Sequence, residues 1–177
     1  MSAGRKINTL STSWGTPIKY VKLIKEFFNG NIDFDPCSNE FSIVDAKVEI
    51  CLPEDGLKCD WNYKTIFVNP PYGKDKERKT SIKDWLYKCV EANEKHNSEV
   101  LVLIPVATNT SHWKKYVFPK ATLICFLNDT RLRFLENGQD VGKGAPMACC
   151  IVYYGKYKNK FIEMFSNYGS IVETKNK

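Results

Sequence analysis

Four consecutive residues, Asn69-Pro70-Pro71-Tyr72, follow directly on the apolar run Thr65-Ile66-Phe67-Val68, and their types suit the activation of an aromatic amine. An amino group conjugated to a heterocycle is a poor nucleophile, because its lone pair is delocalised into the ring. A site that uses such a group must draw the nitrogen toward tetrahedral geometry. Two acceptors aimed at the two N–H bonds do this, the Asn69 side-chain oxygen and the Pro70 backbone carbonyl, and both bind more strongly as positive charge develops on nitrogen. Consecutive prolines hold the chain extended and remove two N–H donors, so the loop offers chiefly acceptors. Tyr72 then supplies a flat face on which the ring can stack. Displacement at an alkyl carbon by such a nitrogen needs in-line approach and no strong acid, which suits a chain whose histidines are His96 and His112 alone.

Such a loop must be held by a rigid frame, and the surrounding pattern describes one. Thr65–Val68 is a continuous apolar run, as expected of a strand buried on both faces of a parallel sheet. Upstream, Thr16 is a capping residue and Pro17 fits the first helical position. Tyr20, Leu23, Ile24 and Phe27 then repeat at helical spacing until Gly30. Asn31 to Pro36 alternates apolar Ile32 and Phe34 with Asp33 and Asp35, a short strand that leaves Asp35 at its carboxyl end. Lys47 to Leu52 reads as another strand, and Glu54-Asp55-Gly56 as a turn. Downstream, Ser81 and Asp84 form a capping-box pattern ahead of Ile82, Trp85, Leu86, Cys89 and Val90. Val100 to Ile104 and Ala121 to Leu127 are further strands. Arg131 to Phe134, the turn Glu136-Asn137-Gly138 and the run Ala148 to Tyr154 are expected to be antiparallel strands closing one sheet edge. Strands alternating with helices imply an α/β fold, an open three-layer sheet, mostly parallel with an antiparallel edge. In such sheets ligands bind at the carboxyl ends of strands, so Asp35 and Asn69 converge on one cleft.

The chain has 177 residues and is 43% hydrophobic, the size of one domain with a full core; the organisation expected is a mobile arm over 1–13 and a single domain over 14–177. No apolar run reaches membrane-spanning length and the start carries no signal-peptide pattern, which points to the cytosol. Seven cysteines never fall at two-residue spacing, so buried thiols are expected and no metal site. The formal net charge of +6 suits a polyanionic partner. Lys74, Lys76 and Arg78 lie in a charged run just after Tyr72. Arg131 and Arg133 alternate with Leu132 and Phe134, which turns both arginines outward and makes all five cations candidates for phosphate contact. Trp61, Trp85 and Trp113 are expected to pack.

The Asn-Pro-Pro-Tyr loop resembles the signature of amino-group methyltransferases. Trp14-Gly15-Thr16-Pro17, Asp33-Phe34-Asp35-Pro36-Cys37 and Asp55-Gly56-Leu57 followed by Trp61 narrow the likeness to the small phage-type DNA N6-adenine methyltransferases, over roughly Trp14 to Tyr154. Pro105 to Thr110 with Trp113, and Arg131-Leu132-Arg133-Phe134, continue it. The resemblance implies a Rossmann-like methyltransferase fold, S-adenosylmethionine as cofactor, double-stranded DNA as partner and a flipped-out adenine as target, in a phage or prophage setting. It implies that Asn69, Pro70, Pro71 and Tyr72 form the catalytic loop and that Trp14, Thr16 and Pro17 cradle the methionine end of the cofactor. By the same resemblance Asp35 accepts from the cofactor amino group above a floor of Pro36 and Cys37. Asp55 would meet the cofactor's adenine amino group, with Leu57 against the ring. No glycine-rich loop follows Asp35, and Glu40, Asp45 and Glu49 all remain open as the ribose-binding acid. Sequence preference would reside in the loops Lys74 to Lys79 and Asp129 to Gly144. Cytosine N4, RNA adenine and protein glutamine are rival targets, and an inactive nucleic-acid-binding copy of the fold is the rival that is no enzyme.

Overall fold

The computed structural model describes residues 14–174; the arm expected over 1–13 lies outside the described residues. Ten strands and three α-helices follow in order: β1 (Trp14–Gly15), α1 (Ile18–Phe27), β2 (Phe34–Asp35), β3 (Val48–Glu49), β4 (Thr65–Val68), α2 (Ile82–His96), β5 (Glu99–Pro105), β6 (Leu123–Leu127), β7 (Leu135–Glu136), β8 (Gln139–Asp140), β9 (Cys149–Tyr154), α3 (Lys158–Phe165) and β10 (Gly169–Glu173). A 3-10 turn covers Gly56–Lys58 and a π-helical turn Trp113–Val117.

Seven strands form one mixed sheet in the order β10-β6-β9-β5-β4-β2-β3. The neighbours β3, β2, β4 and β5 pair in parallel, whereas β5-β9, β9-β6 and β6-β10 pair antiparallel. Pairings thus divide evenly, although five of the seven strands point one way. The remaining three strands form a small sheet, β1-β7-β8, whose hairpin turns on Asn137 and Gly138, both at positive φ, as a two-residue hairpin requires.

Side chains alternate across the central sheet and divide the core in two. Phe67, Leu101, Leu103, Ile151 and Tyr153 face α1 and α3, joining Tyr20, Ile24, Phe27, Phe161 and Phe165. Ile66, Val68, Val100, Val102, Ile104, Val152 and Tyr154 face α2 and the π-helical turn, joining Trp61, Trp85, Leu86 and Trp113. The three tryptophans expected to pack are buried. Both ends of α2 are chemically fixed: the Asp84 carboxylate accepts from the Ser81 N–H at 2.8 Å and the Ser81 hydroxyl at 3.2 Å, and Asn97 closes the helix at positive φ.

Several expectations are corrected. Pro17, not Thr16, occupies the N-cap position of α1, and no side chain caps that helix; Thr16 is buried instead. Arg131 to Phe134 keeps its alternation, arginines out and Leu132 and Phe134 in, but forms no strand. The run ending at Tyr154 does not close an edge: β9 is inserted between β5 and β6, and the edge strand is β10. Lys47 to Leu52 yields only the two-residue β3. Neither α3 nor β10 was anticipated.

Candidate active site at the carboxyl edge of the sheet

Parallel pairing sets the carboxyl ends of β2, β3 and β4 side by side. Asp35 ends β2, Glu49 ends β3 directly opposite it, and Asn69 follows β4. Because β9 runs the other way, its first residue, Cys149, faces Pro105 at the end of β5 on this same edge. The expected convergence of Asp35 and Asn69 is therefore what the topology produces.

Asp35 is 3% exposed. Its Oδ1 accepts from the Cys37 N–H at 3.1 Å, and among the described residues it has no ion-pair partner. Burial raises its carboxyl from 3.8 to about 7, the Cys37 N–H opposes the rise, and the nearby Glu49 adds to it. A buried carboxylate lacking a counter-charge is costly unless a cation arrives. Cys37 lies against Asp35 and the Asn69 backbone, and burial pushes its thiol well above the ordinary range, so it is no nucleophile at neutral pH.

The turn at Asp55 packs directly on this pair. A Cβ at Gly56 would overlap the Pro36 carbonyl, so only glycine allows the approach. The Gly56 carbonyl is held from the other side by Trp61 Nε1 at 2.8 Å. Asp55 Oδ1 accepts from the Leu57 N–H at 3.1 Å, which starts the 3-10 turn, and Asp55 itself is half-buried.

Asn69 is half-buried, with Nδ2 donating to the Trp14 carbonyl at 3.0 Å. Its Oδ1 lies 3.1 Å from the Tyr72 hydroxyl, which is also 3.2 Å from the Leu103 carbonyl. Tyr72 is turned inward: its ring meets the edge of Phe134, and burial drives its hydroxyl well above the usual phenol range. Phe134 in turn stacks on Trp14 with centroids 5.2 Å apart. Trp14 thereby ties the N-terminal motif to the Asn-Pro-Pro-Tyr loop through its peptide oxygen and its ring together.

The sequence-derived set thus falls into two groups. Asp35, Pro36, Cys37 and the loop Asn69 to Tyr72 lie at one edge, with Trp14 bonded to Asn69 and the Asp55 turn packed on Pro36 through Gly56; Thr16 and Pro17 follow Trp14, and Leu57 follows Gly56, in the chain. The five cations stand outside it. Lys74, Lys76 and Arg78 lie exposed on a turn that Asp75 closes by accepting from the Glu77 and Arg78 N–H groups at 3.0 Å. Arg131 and Arg133 lie exposed before β7. The Tyr72–Phe134 contact joins the residue two before Lys74 to the residue directly after Arg133. Arg78 and Arg133 lie 3.7 Å and 3.9 Å from Asp75 and Asp140, separations that hold an exposed side chain only weakly.

Three residues were given no individual role at the site by the sequence. Phe134 stood in a motif whose alternation marked it only as core. Leu103 contributes through its carbonyl, which no side-chain pattern reveals. Asp129, just past β6, takes the Lys19 ammonium and the Tyr20 hydroxyl, tying the start of α1 to the site edge.

Among the described residues no cluster of three or more His, Cys, Asp or Glu is arranged to hold a metal, and no helix is long and apolar enough to cross a membrane. No curated relative and no solved structure matches the chain. A family model does match, over residues 5–177. With an amide acceptor, a buried carboxylate and a double-proline loop on one sheet edge, the chain belongs to the DNA N-6-adenine-methyltransferase (Dam) family.

Proposed function

We propose that the chain methylates the N6 amino group of an adenine flipped out of duplex DNA, using S-adenosylmethionine on a three-layer, Rossmann-like methyltransferase fold in the cytosol. The observation that carries this reading is the oriented Asn69 amide standing on the same edge as a buried carboxylate, Asp35, that has no ion-pair partner among the described residues. When bound, S-adenosylmethionine supplies a methyl group on a sulfonium. The donor set fits that cofactor: Asp35 suits its ammonium, Pro36 and Cys37 its floor, and Trp14, Thr16 and Pro17 its methionine end. Asp55 has an oxygen to spare beyond the one that caps Leu57, suited to the adenine amino group, with Leu57 against the ring. Among the three acids left open, Glu49 suits the ribose hydroxyls, since it ends the strand beside Asp35. Asp45 pairs instead with Lys25 at 3.2 Å, and Glu40 is exposed.

Asn69 Oδ1 and the Pro70 carbonyl accept from the two N–H bonds of the target, and Pro71 keeps their spacing. An amide oxygen has two lone pairs, so Asn69 can hold the target while Tyr72 keeps or releases its own bond. The proton that becomes acidic on the methylated nitrogen leaves along one of these two acceptors to water, and no side-chain base is required. Tyr72, once turned toward the target, is the stacking face. Lys74, Lys76 and Arg78 on one side, with Arg131 and Arg133 on the other, contact the phosphates flanking the extruded nucleotide.

Expression in a host lacking adenine methylation, followed by nucleoside mass spectrometry of its DNA and RNA, tests this reading. N6-methyladenine in DNA, abolished by Asn69→Ala, is the expected result. 4-Methylcytosine or methylated RNA would transfer the same geometry to another amine. Absence of both cofactor binding and methylation would leave a nucleic-acid-binding protein.

A further inference from the structure

The torsion that carries an asparagine amide is broad and nearly two-fold, so nothing intrinsic to Asn69 decides whether oxygen or nitrogen faces a ligand. Only the oxygen-outward arrangement accepts from an amine; the reverse sets donor against donor. Tyr72 does not discriminate. Its single hydroxyl proton reaches either Asn69 Oδ1 or the Leu103 carbonyl, and when it goes to Leu103 the hydroxyl oxygen can accept from a reversed amide. The Trp14 carbonyl, 3.0 Å from Nδ2, has no proton and can only accept. Among the described residues it is the partner that fixes the amide.

Trp14 itself needs holding, because β1 is a two-residue strand, and so short a ladder constrains little. Gly15 opposes Leu135 closely, with a Cβ at Gly15 falling 3.2 Å from the Leu135 Cβ, and the Trp14 ring lies on Phe134 with 12° between planes. Phe134 is buried, and its ring also meets Tyr72 at 5.7 Å. One aromatic ring thus touches both side-chain neighbours of Asn69.

We infer that Phe134 is a positioning residue: by stacking on Trp14 it holds the Trp14 carbonyl where that oxygen turns the Asn69 amide oxygen-outward toward the target amine. The inference rests on the reading of Asn69 as the amine acceptor. Leu132, two residues earlier and equally buried, belongs to the same core cluster but carries no aromatic ring to stack on Trp14.

The test uses the full chain labelled with nitrogen-15, in which the Asn69 side-chain amide is identified by its loss in Asn69→Asp. Its two protons should resonate far apart in the wild type, since one is bonded to Trp14. In Phe134→Leu, which keeps an apolar though smaller side chain and removes the aromatic face, they should move toward an unbonded asparagine. In Phe134→Tyr, which keeps the stack, they should stay apart. Steady-state methylation of adenine-containing duplex should divide the same way, with kcat about ten- to a hundredfold lower in Phe134→Leu and within about threefold of wild type in Phe134→Tyr, while KM for DNA changes less than about threefold in both. Unshifted Asn69 resonances in Phe134→Leu, or an undiminished kcat, would overturn the inference. Should Phe134→Leu not fold, Phe134→Met provides the same comparison. A wild-type chain that leaves adenine unmethylated would sink the reading of the site, and the resonances would still decide whether Phe134 orients Asn69.

Discussion

Asp35→Asn removes the charge from a side chain that is 3% exposed while keeping an oxygen for the Cys37 N–H. Burial raises the wild-type carboxyl from 3.8 to about 7, so the folded state holds its proton more tightly than the unfolded chain does. Stability attributable to this group is therefore fully present below pH 4, falls as pH rises through about 7, and is level beyond. The span from 3.8 to about 7, at about 1.4 kcal/mol per pH unit, sets an upper value of about 4 kcal/mol. Burying the asparagine amide offsets part of it, leaving roughly 2–4 kcal/mol. At pH 8 the variant should thus melt about 5–15 °C above the wild type, and the gap should shrink by more than half at pH 5. Urea and thermal unfolding from pH 5 to 8 measure this directly. In parallel, calorimetry should show S-adenosylmethionine binding lost in the variant, and strengthening in the wild type as pH rises toward 7. A stability gap that does not change with pH, or no gain at pH 8, would refute the assignment of Asp35 as a buried charge awaiting a cation.

Gly56→Ala should force the Asp55 turn away from Pro36, lowering stability by about 1–3 kcal/mol and weakening cofactor binding in the same titration. Asp84→Ala removes the reach-back bond to the Ser81 N–H and should cost about 1 kcal/mol, or about 2–4 °C of melting temperature, with kcat unchanged. Replacing Lys74, Lys76 and Arg78 together by alanine should lower the slope of log affinity against log salt by up to about 2.7, at about 0.9 per phosphate released. A fluorescence-anisotropy salt series checks this, and an unchanged slope would remove the turn from the DNA interface.

Local chemistry was legible wherever one segment carried its own reason for its shape. Thr65 to Val68 reads as a buried strand because both faces are apolar, and Ser81 with Asp84 declares a helix start. Asn137-Gly138 declares a hairpin turn because both residues tolerate positive φ. What depends on distant partners was not legible. The residues of β9 fit an edge or a centre equally well until β6 and β5 are known to flank them. Arg131 to Phe134 alternates as a strand does, yet packing of Phe134 between Trp14 and Tyr72 produces that pattern without a ladder. The C-terminal helix could have been found from Phe161 and Phe165, four apart on one face. At the candidate site, residue types announced the acceptors, but the bond that orients Asn69 runs to a peptide oxygen, which every residue possesses and no sequence marks.

The late strand at the heart of the sheet also governs when a growing polypeptide acquires its shape. As the ribosome extrudes the chain, at about 5–20 residues per second, the strands around Leu103 and Ile124 emerge with nothing to bridge them. The bridge arrives only with Cys149 to Tyr154, and the aromatic cover of α1 only with Phe161 and Phe165. A nascent fragment that already carries Asn69 and Asp35 but ends before Cys149 therefore has an open seam between β5 and β6. The sheet is therefore continuous only once the last third of the chain has been made.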